Sequence, residues 1–335
     1  MKNAGITGPS SYSAAMSTFG QHWLSGNTKL GPTKHFAIAL LNKTTVSQVA
    51  FAGLRSTLLT QENAVQAALT NFQLARGTVL TKKNELLPKF GLFTSILDGY
   101  YQGTHFIEAR PYAPSFNDGK ENFLRPLGAM MTVWLKMNEG GAPPGVSLPV
   151  LLGDNTDQGS FASALSSLCF AFGDMENKEV LLQLARGERN VTLRKAYEVM
   201  KFYREVAPGK YTLHPEMIET MPRLTPLPGH TPERVNASAM FEAPNQSKIV
   251  HDASTDAMLS HYELRGNAGD DYSEHDAMLI ASHEPGEPME FLTSFALTQP
   301  GAKAAFKVFV VLTTGNEAGS AEMVVQRPVA LPLAA

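Results

Sequence analysis

The chain has 335 residues, of which 43% are hydrophobic and 18% charged, with a net charge of −3. That length allows two or three ordinary cores. Lysine and arginine are spread along it without a basic block, which argues against a grip on nucleic acid. The one cysteine, Cys169, excludes an internal disulfide and a cysteine-rich metal site, and no apolar run is long enough to span a membrane.

The N-terminus, MKNAGITGPSSYSAAMSTFGQHW, has a lysine but no continuous apolar stretch after it, so it does not read as a secretory signal. A cytoplasmic protein is expected, with export by a signal-less route left open. Residues 1–34 are rich in Gly, Ser, Thr and Asn and are predicted to form a flexible arm. If such an arm lies across a neighbouring subunit, Phe19, Trp23 and Leu24 are its natural anchors.

Residues 35–221 read as a helical domain. From Val46, the positions Val49, Leu54, Leu58, Val65, Leu69, Phe72 and Leu80 recur at helical spacing. A second helix is predicted from Lys82 to Tyr101, with Pro88 forcing a kink or a restart. The stretch from Gly103 to Lys120 reads as irregular, and a third helix runs from Phe123 to Met137. The Gly- and Pro-rich connection over 138–158 is long enough to suggest a functional or bridging loop. Further helices are predicted over 160–172, where Cys169 reads as a small buried residue, and over 177–206, with a break at Gly187 or Asn190. Glu62, Glu176 and Glu179 read as solvated helix faces.

The segment PRLTPLPGHTPER, residues 222–234, reads as a stiff linker. Beyond it, strands are predicted over 235–241, 248–253, 259–265, 277–282, 289–297, 304–313 and 321–326, with a short tail at 330–335. In the sixth of these, Phe306, Val308, Val310 and Leu312 should face a core, leaving Phe309 and Val311 as an outward apolar pair suited to docking.

IVHDASTDAMLSHYELRGNAG, with Tyr262, Glu263, Leu264 and Arg265, resembles the B–C hairpin of a fibronectin type III domain. FALTQPGAKAAFKVFVVLTTGNEAGSAEMVV resembles the E–F–G portion, with Leu297, Pro300 and Gly301 at the corner and Asn316, Gly319 and Ser320 in the F–G turn. The resemblance implies an immunoglobulin-like sandwich over 235–329. That family's core tryptophan falls at His251 and its corner tyrosine near Ala304, so both large anchors are replaced. The helical region followed by such a module also resembles a group of uncharacterised bacterial proteins, a likeness that assigns no role to individual residues. The expected fold is therefore a multidomain α and β protein, an N-terminal helical bundle followed by a fibronectin type III β-sandwich.

No catalytic, cofactor-binding or metal-binding motif emerges. His251–Asp252 and His275–Asp276 are adjacent in sequence, so in a strand their side chains point to opposite faces. The acidic turn Asp270, Asp271, Glu274 and Asp276 lacks the spacing of a calcium loop. GGAPPG lacks the Lys-Ser/Thr ending of a phosphate-binding loop. The expectation is a non-enzymatic assembly protein whose main partner is itself. The alternative is a binding module for a protein or a glycan, with Tyr112, Phe116 and Tyr272 as its loop aromatics.

Overall fold

Neither a restart at Pro88 nor a break at Gly187 or Asn190 occurs. In the computed structural model, which describes residues 9–140 and 143–328, the regular elements begin with α1 (Pro9–Leu30) and the two-residue strands β1 (Ile38–Ala39) and β2 (Thr45–Val46). There follow α2 (Gln48–Tyr100), α3 (His105–Glu108), α4 (Lys120–Gly140), α5 (Gln158–Lys210) and α6 (Pro215–Glu219). Pro88 lies inside α2. It removes one backbone donor and crowds the carbonyl of Asn84, at a cost of about 3 kcal/mol or more. Leu86, Phe90, Phe93 and Leu97, all buried on the flanking turns, offset that cost and carry the helix through. Gly187 and Asn190 likewise sit within an unbroken α5.

The described residues form two compact units: one holds 9–70 and 181–328, the other 71–180. The smaller unit is wholly helical and looped. Its core gathers Phe93, Phe123, Leu127, Trp134, Phe161 and Phe172. The Trp134 indole Nε1 donates to the Val150 carbonyl at 3.0 Å, and the Val150 N–H donates to Asn138 Oδ1 at 2.9 Å. The Gly- and Pro-rich connection is thus tied to α4. Lys83 is buried, its Nζ donating to the carbonyls of Phe116 and Asp118 at 3.0 and 2.5 Å, with the Phe123 ring centroid at 4.7 Å. Burial lowers its pKa.

The larger unit has a helical core and a β core. Phe19 and Trp23 of α1 are buried with Phe51, Tyr203 and Tyr211. His22 Nδ1 lies 2.6 Å from the Tyr203 hydroxyl and Nε2 lies 2.8 Å from the Met217 carbonyl. The expected flexible arm is, from Pro9 onward, a helix whose aromatic side chains fill their own chain's core. Thr18, Ser25 and Thr28 lie on its exposed face, while Gly26 and Asn27 are buried with the aromatics. The first eight residues lie outside the described ones.

Residues 222–234 have no regular structure, but Leu227 exchanges hydrogen bonds with the turn at Thr314 and Asn316. Eight strands follow: β3 (Ala237–Glu242), β4 (Gln246–His251), β5 (Leu259–Ala268), β6 (Met278–His283), β7 (Glu290–Thr293), β8 (Lys303–Leu312), β9 (Glu317–Gly319) and β10 (Met323–Gln326). One sheet runs β3-β4-β7. The other runs β10-β8-β5-β6, with β9 also on β8, and every pairing is antiparallel.

The sheets share one core, in which Phe306, Val308, Val310 and Leu312 of β8 meet Ile249 of β4 and Phe291 of β7. Gly266, opposite Phe306 in the β5–β8 register, is required by close approach: a Cβ there would stand 2.7 Å from Phe306 Cδ1 and 2.8 Å from the Ala305 carbonyl. The molecule therefore combines a long helical region with C-terminal β-sheets. At the expected tryptophan position His251 is buried, its ring 4.6 Å from that of Tyr262 and 5.7 Å from that of Phe291. Its Nε2 is 2.9 Å from His283 Nε2, and burial lowers its pKa.

Candidate functional site

The other face of β8 does not present a free apolar pair. Phe309 and Val311 are both buried, covered by side chains from β5 and β9. The Arg265 guanidinium lies 4.1 Å from the Phe309 ring centroid, and Gly319 leaves room for that ring, since a Cβ there would come within 2.9 Å of it. Arg265 donates from Nη1 to Glu317 Oε1 at 2.8 Å and from Nε to Glu263 Oε2 at 2.7 Å. Glu263 Oε1 in turn lies 3.1 Å from His261 Nε2. Burial disfavours the charge on Arg265, but the two carboxylates more than compensate and raise its pKa. Hydrogen bonding to Glu263 likewise raises that of His261. Alternation in the sequence identified the face correctly; it carried no information about the charged lid that closes over it.

The anchors proposed in the first helix fare similarly. Phe19 and Trp23 are interior residues, and of the three only Leu24 is exposed. Cys169, expected to be buried, is exposed. Phe172 and Leu168 take the core positions of that stretch instead.

Asp276 is not an available calcium ligand. It is buried, and Arg186 and Arg189 of α5 donate to it, Arg189 Nη1 at 3.0 Å from Oδ1. Gln66 of α2 joins the same cluster. Its amide donates to the Asp276 carbonyl at 2.5 Å, and its Oε1 accepts the Ala268 N–H at 3.0 Å. Glu62, one turn earlier on α2, is only 3% exposed rather than on a solvated face, and its Oε1 has no hydrogen-bond partner; nor does Arg189 Nε. Burial pushes the Glu62 carboxyl up to about 7, against the pull of Arg189. The i, i+4 spacing of Glu62 and Gln66 was visible in the sequence, but the partner at position 276 was not. This cluster ties the β-sheets to the helix pair through Asp276 and its two arginines.

Exposed apolar side chains lie elsewhere. On α5 within the larger unit, Leu181, Leu184 and Val191 are 54%, 59% and 58% exposed. Their spacing puts them, with Glu188, on one helix face. Lys195, one heptad after Glu188, continues that face. The sequence signal is present as apolar residues on two sides of the predicted 177–206 helix. Among the described residues no group of three or more His, Cys, Asp or Glu side chains is placed to hold a metal ion, and no helix is long and apolar enough to cross a membrane.

No protein-family model matches the chain, and no curated protein matches it. Among solved structures, a Fn3-like protein from Clostridium thermocellum is similar at 19% identity over 31% of this chain and 100% of its own, with a TM-score of 0.23. Pectate lyase PelI from Erwinia chrysanthemi, solved with tetragalacturonic acid, is similar at 13% identity over 28% of each chain, also with a TM-score of 0.23. Likenesses of this size assign no activity.

Proposed function

We propose that this protein is a non-enzymatic structural component that associates with copies of itself through the outward face of α5, and that its C-terminal sheets form a fibronectin type III-like sandwich. The strand order supports the second part: three strands in one sheet, the remainder in the other, with one core between them. The observation that carries the first part is the exposure of Leu181, Leu184 and Val191 along one helical face. Three large aliphatic side chains in water along one helix face, at residues 181, 184 and 191, are unusual outside an interaction surface.

The occupant is a second copy because the face is self-complementary. A two-fold axis at the level of residue 186 sets Leu181 of each antiparallel copy opposite Val191 of the other, with Leu184 opposite Glu188 between them, so that all three aliphatic side chains of each copy lie in one seam. Six aliphatic side chains, each worth about 1–2 kcal/mol on burial, are comparable with an association cost of about 4–15 kcal/mol. The dimer is therefore weak and concentration-dependent. Light scattering on the full chain at about 100 micromolar, far above a micromolar Kd, should show a dimer, and Leu184→Glu with Val191→Glu should return it to monomer with unchanged circular dichroism. A wild-type monomer at that concentration refutes the proposal.

A further inference from the structure

We infer that the cleft between α2 and the 110–114 segment of the smaller unit binds a neutral sugar ring. The cavity measures about 430 Å³, within the range of small-molecule sites; Phe90, Gly91 and Thr94 line it on the helix side, and Arg110, Pro111 and Tyr112 face them.

Two local costs converge here, and the chain's own packing explains neither. Gly91 lies inside the uninterrupted α2, where glycine is second only to proline in disfavouring a helix. Nothing lies within 4 Å of where its Cβ would stand, so no close approach demands it. Its effect is to leave the floor of the cleft open. Tyr112 is 57% exposed between the buried prolines 111 and 114, which fix the backbone and hold the ring out beside the opening.

The rim decides the class of ligand. Arg110 Nη2 is 3.1 Å from Asp98 Oδ2, and both side chains are about half exposed. The pair is electrically balanced, so neither an anion nor a cation gains a net partner. Asp98 neutralises Arg110 from outside the cleft wall, and the guanidinium's other N–H groups suit a sugar hydroxyl as acceptor. Thr94 Oγ1 donates to the Gly91 carbonyl at 2.9 Å and keeps its lone pairs for a further hydroxyl. The exposed Tyr112 ring offers apolar surface to the C–H face of a pyranose. This site is independent of the self-association surface on α5.

The full-length protein should be titrated with cellobiose, maltose and N,N′-diacetylchitobiose, with saturation-transfer NMR and calorimetry as readouts and benzoate as a charged aromatic control. At least one sugar should receive saturation at its ring protons. Its affinity should fall about tenfold or more in Tyr112→Ala and vanish in Gly91→Leu, where the new side chain fills the floor. Tyr112 is solvent-exposed, so its variant keeps the test decisive should Gly91→Leu fail to fold. No transfer to any of the three sugars, an affinity unchanged by Tyr112→Ala, or binding of benzoate in place of sugar overturns the inference.

Discussion

Replacing Glu62 by glutamine should raise stability at alkaline pH and leave it unchanged in acid. The carboxyl is buried, with one oxygen lacking any partner, and is pushed from its ordinary 4.5 up to about 7. A raised carboxylate pKa means that the folded state holds the proton more tightly than the unfolded chain. The favourable contribution is then complete below 4.5 and is lost as pH rises through about 7. The gap corresponds to about 3 kcal/mol at full ionisation. Glutamine keeps the shape and stays neutral throughout. In urea titrations at about pH 5 and about pH 8.5, the wild type should lose about 3 kcal/mol relative to Glu62→Gln between the two conditions. A constant offset across pH would refute the reasoning and place Glu62 in contact with water.

Asp276→Ala should be among the most damaging single substitutions in the larger unit. It strands Arg186 and the buried Arg189 without their carboxylate, and a loss of about 3–5 kcal/mol is expected in chemical denaturation. Gly266→Ala should cost about 1–3 kcal/mol, because the new methyl meets the Ala305 backbone and the Phe306 ring, neither of which has room to retreat; near-ultraviolet circular dichroism and the thermal midpoint would report it.

The β region was largely legible in the sequence, and the reason is local. Alternation along β8 sorts Phe306, Val308, Val310 and Leu312 onto one side whatever surrounds them, and the structure buries that side. Seven predicted strands correspond to seven observed ones, and only the three-residue β9 was missed. What periodicity cannot supply is the identity of the covering layer. Phe309 is closed over by Arg265, held by carboxylates on β5 and β9. Glu62 and Asp276 show the same limit at greater range, since a burial produced by residues some two hundred positions apart leaves no trace in either local pattern. Pro88 failed as a breaker because its penalty is fixed while the packing on either side of it is not.

The aromatic cluster around Trp23 also sets an order of events during synthesis. Its first members leave the ribosome early, yet the hydroxyl that meets His22 belongs to Tyr203 and the carbonyl beneath it to Met217. Until that later stretch emerges, Trp23 has Phe36 and Phe51 but not Tyr203 among its ring partners, and a nascent chain with this cluster half built for so long invites capture by chaperones or by other nascent chains. Maturation of this half of the protein is therefore paced by translation of the far end of α5.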